Sequence, residues 1–221
     1  MSSHPRQLAL ALDHAESYAR EDFLSGPCNE AALALIDCWP DWPANAVALI
    51  GPEGSGKTHL AMMWAAAAGA RVIPAAALSE DEIPAALATG ALVVEDAATG
   101  VDGRALFHLI NLAREEKASL LFAARTPPVA WPATIPDLVS RLRSLPVAML
   151  RPPDDALLRA VIVKLAADRQ LALDEGVIGY LSTRIERSFA AAHAAVVTLD
   201  NEALRQRRPA TRALAAELFR D

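Results

Sequence analysis

The segment "GPEGSGKTHL", Gly51 to Leu60, constrains the fold more than any other stretch of the chain. It fits G-x-x-x-x-G-K-[ST] from Gly51 to Thr58, directly after the apolar run "VALI" and at the head of a helical pattern. Gly51, Gly54 and Gly56 let the backbone curl so that N–H groups converge on an anion, and the helix N-terminus adds a favourable field. Lys57 is placed to neutralise β and γ phosphates, and the Thr58 hydroxyl to ligate Mg²⁺. Ser55 and His59 complete the loop as expected nucleotide contacts. A glycine-rich turn of this kind works only between a buried strand and a helix, so it demands an α/β sheet around it.

The flanking pattern supplies one. "AVALI" (46–50), "RVI" (71–73), "ALVVE" (91–95), "SLLFAA" (119–124) and "PVAML" (146–150) read as five buried strands. Helical segments separate them. One is closed by Gly69, a second opens with a Ser79–Glu82 capping box, and two more span 104–117 and 136–144. An earlier helix, through "EAALALIDCW", has Asn29 as its expected cap. Strict alternation predicts a parallel sheet covered on both faces. After Pro152–Pro153 the strand signal stops, and 154–170, 175–185, 187–206 and 210–219 read as helices. The expected organisation is a tail (1–21), a P-loop nucleotide-binding α/β domain (22–151) and a helical lid domain (152–221).

A phosphate loop needs an acid at the tip of another central strand. Glu95 and Asp96, at the end of the third strand, are the expected partners of Thr58 around Mg²⁺. The usual order is Asp then a catalytic Glu, and here it is reversed. Asp96 is then a shorter base in the water-activating slot, and intrinsic hydrolysis is expected to be slow.

Composition narrows the partners. A formal net charge of −6 argues against a surface that grips nucleic acid non-specifically, and "RQRR" (205–208) reads as a solvated helix end. Cys28 and Cys38 are two isolated thiols without metal spacing, which suits a reducing compartment. No apolar run is long enough to span a bilayer, so a cytoplasmic protein is expected.

One stretch stands apart from this scheme. "QLALAL" (7–12), if extended, puts Leu8, Leu10 and Leu12 on one side and Gln7 on the other. The residues alone read either as an edge strand on the domain behind or as a peptide for another protein.

"GPEGSGKTHLA", "DFLSGPCN", "LINLAREEKASLLFAARTPP" and "IPDLVSRL" together resemble the AAA+ module of the DnaA-related family, in particular its truncated Hda branch. The resemblance implies an AAA+ P-loop module, a five-stranded parallel sheet flanked by helices followed by a small all-helical lid. It implies bound ADP or ATP with Mg²⁺. It also implies a regulator, acting mainly in an ADP-bound state, that stimulates ATP hydrolysis by the replication initiator DnaA and so prevents re-initiation. "QLALAL" is similar to the family peptide that docks on the DNA sliding clamp, the polymerase III beta subunit. On that likeness Gln7, Leu8, Leu10 and Leu12 are the clamp-binding residues.

Arg141 falls on the arginine finger, and Phe23, Leu24 and Asn29 on the segment that walls the adenine. Two positions depart from the family pattern. The polar sensor after the fourth strand is replaced by Ala123 and Ala124, followed by Arg125 and Thr126. The lid arginine aligns on Ala190, with Arg187 three residues earlier. No initiator-type DNA-binding domain is expected after the lid, hence no sequence-specific DNA contact, and the lack of a long apolar run leaves no membrane partner expected. A homodimer is compatible with the resemblance. The alternative readings are an autonomous P-loop ATPase and a DnaA-like loading factor.

Overall fold

A computed structural model describes residues 18–220. They form two compact units, Tyr18–Pro153 and 154–220. The expected clamp peptide, Gln7 to Leu12, lies outside the described residues.

The first unit is built on β1 (Ala46–Ile50), β2 (Arg71–Pro74), β3 (Ala91–Glu95), β4 (Ser119–Ala124) and β5 (Val147–Met149), in the order β2-β3-β4-β1-β5. All pairings are parallel. The central strands are covered on both faces, and alternate side chains enter different layers. Val47 and Leu49 pack with Leu60, Trp64 and Leu33, whereas Ala46, Ala48 and Ile50 pack with Leu106, Leu109 and Phe122. The first layer is supplied by α1 (Glu30–Asp37) and α2 (Lys57–Ala68). The opposite layer is supplied by α3 (Ile83–Ala86), α4 (Gly103–Glu115) and α5 (Pro136–Ser144). Trp64, 1% exposed, stacks on Trp42 with ring centroids 4.8 Å apart and anchors the α2 layer.

The register decides where the loops go. Ile50 lies opposite Ala124, and Gly51 donates its N–H to the Ala124 carbonyl at 3.2 Å. Val94 lies opposite Phe122, so β1, β4 and β3 end side by side. The carboxyl edge of the sheet therefore gathers the loop after β1, the residues after β4 and the tip of β3.

The second unit contains α6 (Asp155–Asp168), α7 (Glu175–Arg184), α8 (Phe189–Gln206) and α9 (Arg212–Leu218) around Leu158, Ile162, Leu181, Val196, Leu199 and Leu214. Each helix begins with a side-chain cap: Asp154, Asp174, Ser188 and Thr211 accept from the N–H three residues on. Among the described residues no helix is long and apolar enough to cross a membrane.

Two expected caps take another form. Ser79 stands before a 3-10 turn, Glu80–Glu82, and makes no side-chain cap bond, so the capping box does not form. The turn lets the chain reach α3, whose Pro84 near its start has no N–H to satisfy. Asn29 precedes α1 but caps nothing with its side chain; it is 1% exposed and turned back into the preceding loop. These differences set up a matched pair of substitutions. Ser188→Ala should destabilise the fold by about 1 kcal/mol. Ser79→Ala should stay within about 0.5 kcal/mol of the parent. Denaturant unfolding monitored by circular dichroism measures both.

Candidate nucleotide site

Loop geometry explains the glycines. A Cβ on Gly51 would meet the Leu150 carbonyl oxygen at 2.7 Å and the Ser55 hydroxyl at 2.8 Å. Gly56, at φ 91°, turns the chain into α2 from a left-handed conformation that disfavours other residues. Lys57 follows as the first residue of α2 and donates from Nζ to the Gly51 and Pro52 carbonyls at 2.9 and 2.8 Å. The ammonium is thus folded over its own loop. Burial holds it below the usual lysine range, with Arg125 pushing the same way and Glu95, Asp96 and Glu53 opposing.

At the tip of β3 the chain places Glu95 partly buried and Asp96 exposed, at φ 54°. Asp96 tolerates that conformation better than most residues. The turn frees Ala97 to donate its N–H to Ala123 at 3.0 Å. The Glu95 carboxyl is pushed above the usual range, chiefly by burial and next by the Asp96 charge. A hydrogen bond from Thr58 and the Lys57 charge work against the shift. Glu95 Oε1 is buried with no hydrogen-bond partner, and so is Ser55 Oγ. An unmet carboxylate oxygen beside a threonine hydroxyl is a donor set suited to Mg²⁺, which takes one or two carboxylate contacts and leaves its other positions to water and phosphate. Among the described residues no group of three or more His, Cys, Asp or Glu side chains forms a metal cage. An all-protein site is therefore not what these residues build.

Of the residues expected to wall an adenine, Phe23 meets the first turn of α2. Phe23 and His59 have ring centroids 5.3 Å apart, and Tyr18 meets His59 edge-on at 5.3 Å. Tyr18 was not expected from the sequence, where it sits in an unpatterned segment. Asn29 holds the preceding loop: its Oδ1 accepts from Gly26 N–H at 2.8 Å and its Nδ2 donates to the Leu24 carbonyl at 3.1 Å. That fixes the backbone carrying Phe23 and Leu24. A cavity of about 470 Å³ lies elsewhere, between α1 and β5, lined by Cys28, Leu35, Val147 and Met149 and by none of the phosphate-loop residues.

Arg141 sits on α5, half-buried, with its guanidinium 5.7 Å from the centre of the Phe107 ring. Arg143 on the same helix is exposed. In the helical unit Arg187 precedes α8 and pairs with Asp155 at 2.9 Å, and Ala190 is exposed in the first turn of α8.

No protein-family model and no curated protein matches the sequence at a significant level. Solved structures do match. Domain III of the Thermotoga maritima replication initiation protein DnaA superposes with a TM-score of 0.72 at 20% identity, over 92% of this chain and 96% of that one. The chain has the fold of that domain. A replication initiator DnaA bound to AMPPCP and single-stranded DNA gives 0.65 at 20% identity, over 86% of this chain and 68% of that one. A Thermotoga maritima RuvB variant gives 0.72 at 13% identity, over 91% and 70%. The shared fold covers the parallel five-stranded sheet and the helical unit that follows it.

Burial of Glu95 has a measurable cost. A carboxyl raised above its unfolded-state pKa destabilises the fold as pH climbs, because the unfolded chain ionises more readily. That cost is absent below the unfolded value of about 4.3 and complete above the folded one. Glu95→Gln should therefore raise the melting temperature at pH 8 and change it little at pH 4. Thermal denaturation at both pH values reads this, and a lower melting temperature for the variant at pH 8 would contradict the assignment.

Proposed function

We propose that the chain is a nucleotide-bound AAA+ regulator that docks on the DNA sliding clamp and stimulates ATP hydrolysis by the replication initiator DnaA. Nucleotide binding is supported by the loop Gly51–Thr58, by the Phe23 and His59 rings, and by the AMPPCP held in a DnaA structure of the same fold. ADP is the favoured resting ligand. Lys57 binds its phosphates and Ser55 and the loop N–H groups orient them. Thr58 and Glu95 would hold Mg²⁺, with Asp96 at the rim, and the bound ion would neutralise phosphate charge.

Weak intrinsic turnover follows from the residues in the catalytic slots. Asp96 is one methylene shorter than the usual glutamate and is exposed. Ala190 supplies no charge where the family places a lid arginine, and Arg187 is engaged by Asp155. On this reading the chain's chemistry is exerted on a partner.

The observation that carries the proposal is the setting of Arg141. Cation–π contact with Phe107 steadies a guanidinium that keeps part of its surface open. A planar, permanently charged fork that is already ordered loses little entropy when it grips a second protein's phosphate oxygens. Clamp docking rests on the likeness of Gln7, Leu8, Leu10 and Leu12 to a peptide that binds as an anchored extended segment.

The test is reconstitution with DNA-loaded clamp and ATP-bound initiator, following conversion of the initiator's ATP to ADP. Arg141→Ala should keep its fold and nucleotide and lose about 10³-fold or more of the stimulation. Arg141→Lys should rescue poorly because it lacks the fork. Arg143→Ala should behave as the parent. Stimulation that persists undiminished in Arg141→Ala, or that does not depend on loaded clamp, would overturn the corresponding half of the proposal.

A further inference from the structure

Between β4 and α5 the chain makes a short apolar turn that neither the sheet nor the phosphate loop requires. Within residues 127–132, Pro127, Val129, Ala130 and Pro132 are exposed, while Pro128 and Trp131 are buried. Val129 is 65% exposed, more than any other large hydrophobic side chain among the described residues.

The turn is firmly braced. Pro128–Ala130 form a 3-10 turn, in which Ala130 donates its N–H to the Pro127 carbonyl at 2.9 Å and Trp131 to the Pro128 carbonyl at 3.1 Å. Two successive prolines fix φ. Trp131, 4% exposed, meets the Phe122 ring edge-on at 5.7 Å and donates from Nε1 to the Thr126 carbonyl at 2.8 Å, which ties the two ends of the turn together. The turn also packs against α5, the helix that carries Arg141, and Trp131 shares a core layer with Leu138 and Leu142 of that helix.

We propose that Val129 is an apolar docking knob for the same partner whose nucleotide Arg141 reaches, seated in a shallow apolar depression beside that protein's nucleotide site. The proposal rests on the regulator reading of Arg141 and adds the contact that holds the partner in place.

A lone exposed valine is ordinary on a protein surface, but four apolar residues in six, presented on one braced turn, make a patch. Little freedom is lost when such a turn is covered, because the prolines and the anchored tryptophan have already removed it. Position decides the partner. The turn touches the helix of Arg141, so a protein gripped by that guanidinium also presents a surface to Val129. Chemistry then divides the labour. Arg141 acts on charge that develops on a phosphoryl group, whereas a neutral side chain contributes binding alone.

Initial rates of the initiator's hydrolysis, measured over a range of ATP-bound initiator at fixed full chain and loaded clamp, separate the two roles. Val129→Asp should raise KM for the initiator by about tenfold or more, because docking would bury an unpaired carboxylate, and leave kcat unchanged. Val129→Ala should raise KM by about threefold. Arg141→Ala should instead lower kcat. Leu204→Asp, at a side chain 61% exposed on α8, is the matched control and should change neither. Melting temperatures of the Val129 variants should equal the parent's, since the side chain faces water. If Val129→Asp leaves KM unchanged, or lowers kcat alone, the knob is wrong while the role of Arg141 stands. If it alters only self-association of the chain in sedimentation, a second copy covers Val129 and the proposal is overturned. If the parent gives no stimulation, the regulator reading fails and the knob with it.

Discussion

Everything at the candidate site depends on the register of β1 against β4. Ile50 faces Ala124, and the Gly51 N–H is spent on the Ala124 carbonyl. Both faces of β1 are buried, so a one-residue slip would exchange Val47 and Leu49 with Ala46, Ala48 and Ile50 between two differently shaped layers. Packing therefore forbids the slip. The same register fixes how far the phosphate loop stands from the tip of β3 and from Arg125. Side-chain packing in the core thus sets the geometry of charges at the edge.

At that edge the chain accepts electrostatic cost. Glu95 is held partly buried beside Asp96, and one of its oxygens has no partner. Lys57 is held partly desolvated, with its ammonium donating to two carbonyls of its own loop. Each group is less comfortable ionised than it would be in water, and a divalent cation with phosphates would relieve both at once. Local discomfort concentrated among few residues at the edge of a well-packed sheet is what a preorganised anion and cation site looks like.

Much of this was legible in the residues. Residues 46–50, 91–94 and 120–124 are continuous apolar runs with sharp ends, and buried parallel strands require such runs. Gly69 closes α2 in a left-handed conformation, as its place after an alanine-rich helix implies. What the sequence could not show were side-chain choices between competing partners. Ser79 and Glu82 have capping-box spacing, yet a 3-10 turn intervenes. Asn29 has a cap's composition, yet its amide finds the Leu24 and Gly26 backbone first, because the loop folds back over it. Tyr18 and the Arg125–Glu53 pair are long-range contacts without any local pattern to announce them.

The central claim is that Gly51–Thr58, Glu95 and the β3 tip form one Mg²⁺-nucleotide site. Calorimetric titration of the unaltered chain with ADP, with and without Mg²⁺ and in buffers of differing ionisation enthalpy, tests it most directly. The account predicts binding that Mg²⁺ tightens by about tenfold or more. It also predicts proton release on binding near the raised pKa of Glu95, because the cation favours the carboxylate. ADP binding that is indifferent to Mg²⁺, or no binding at all, would contradict it.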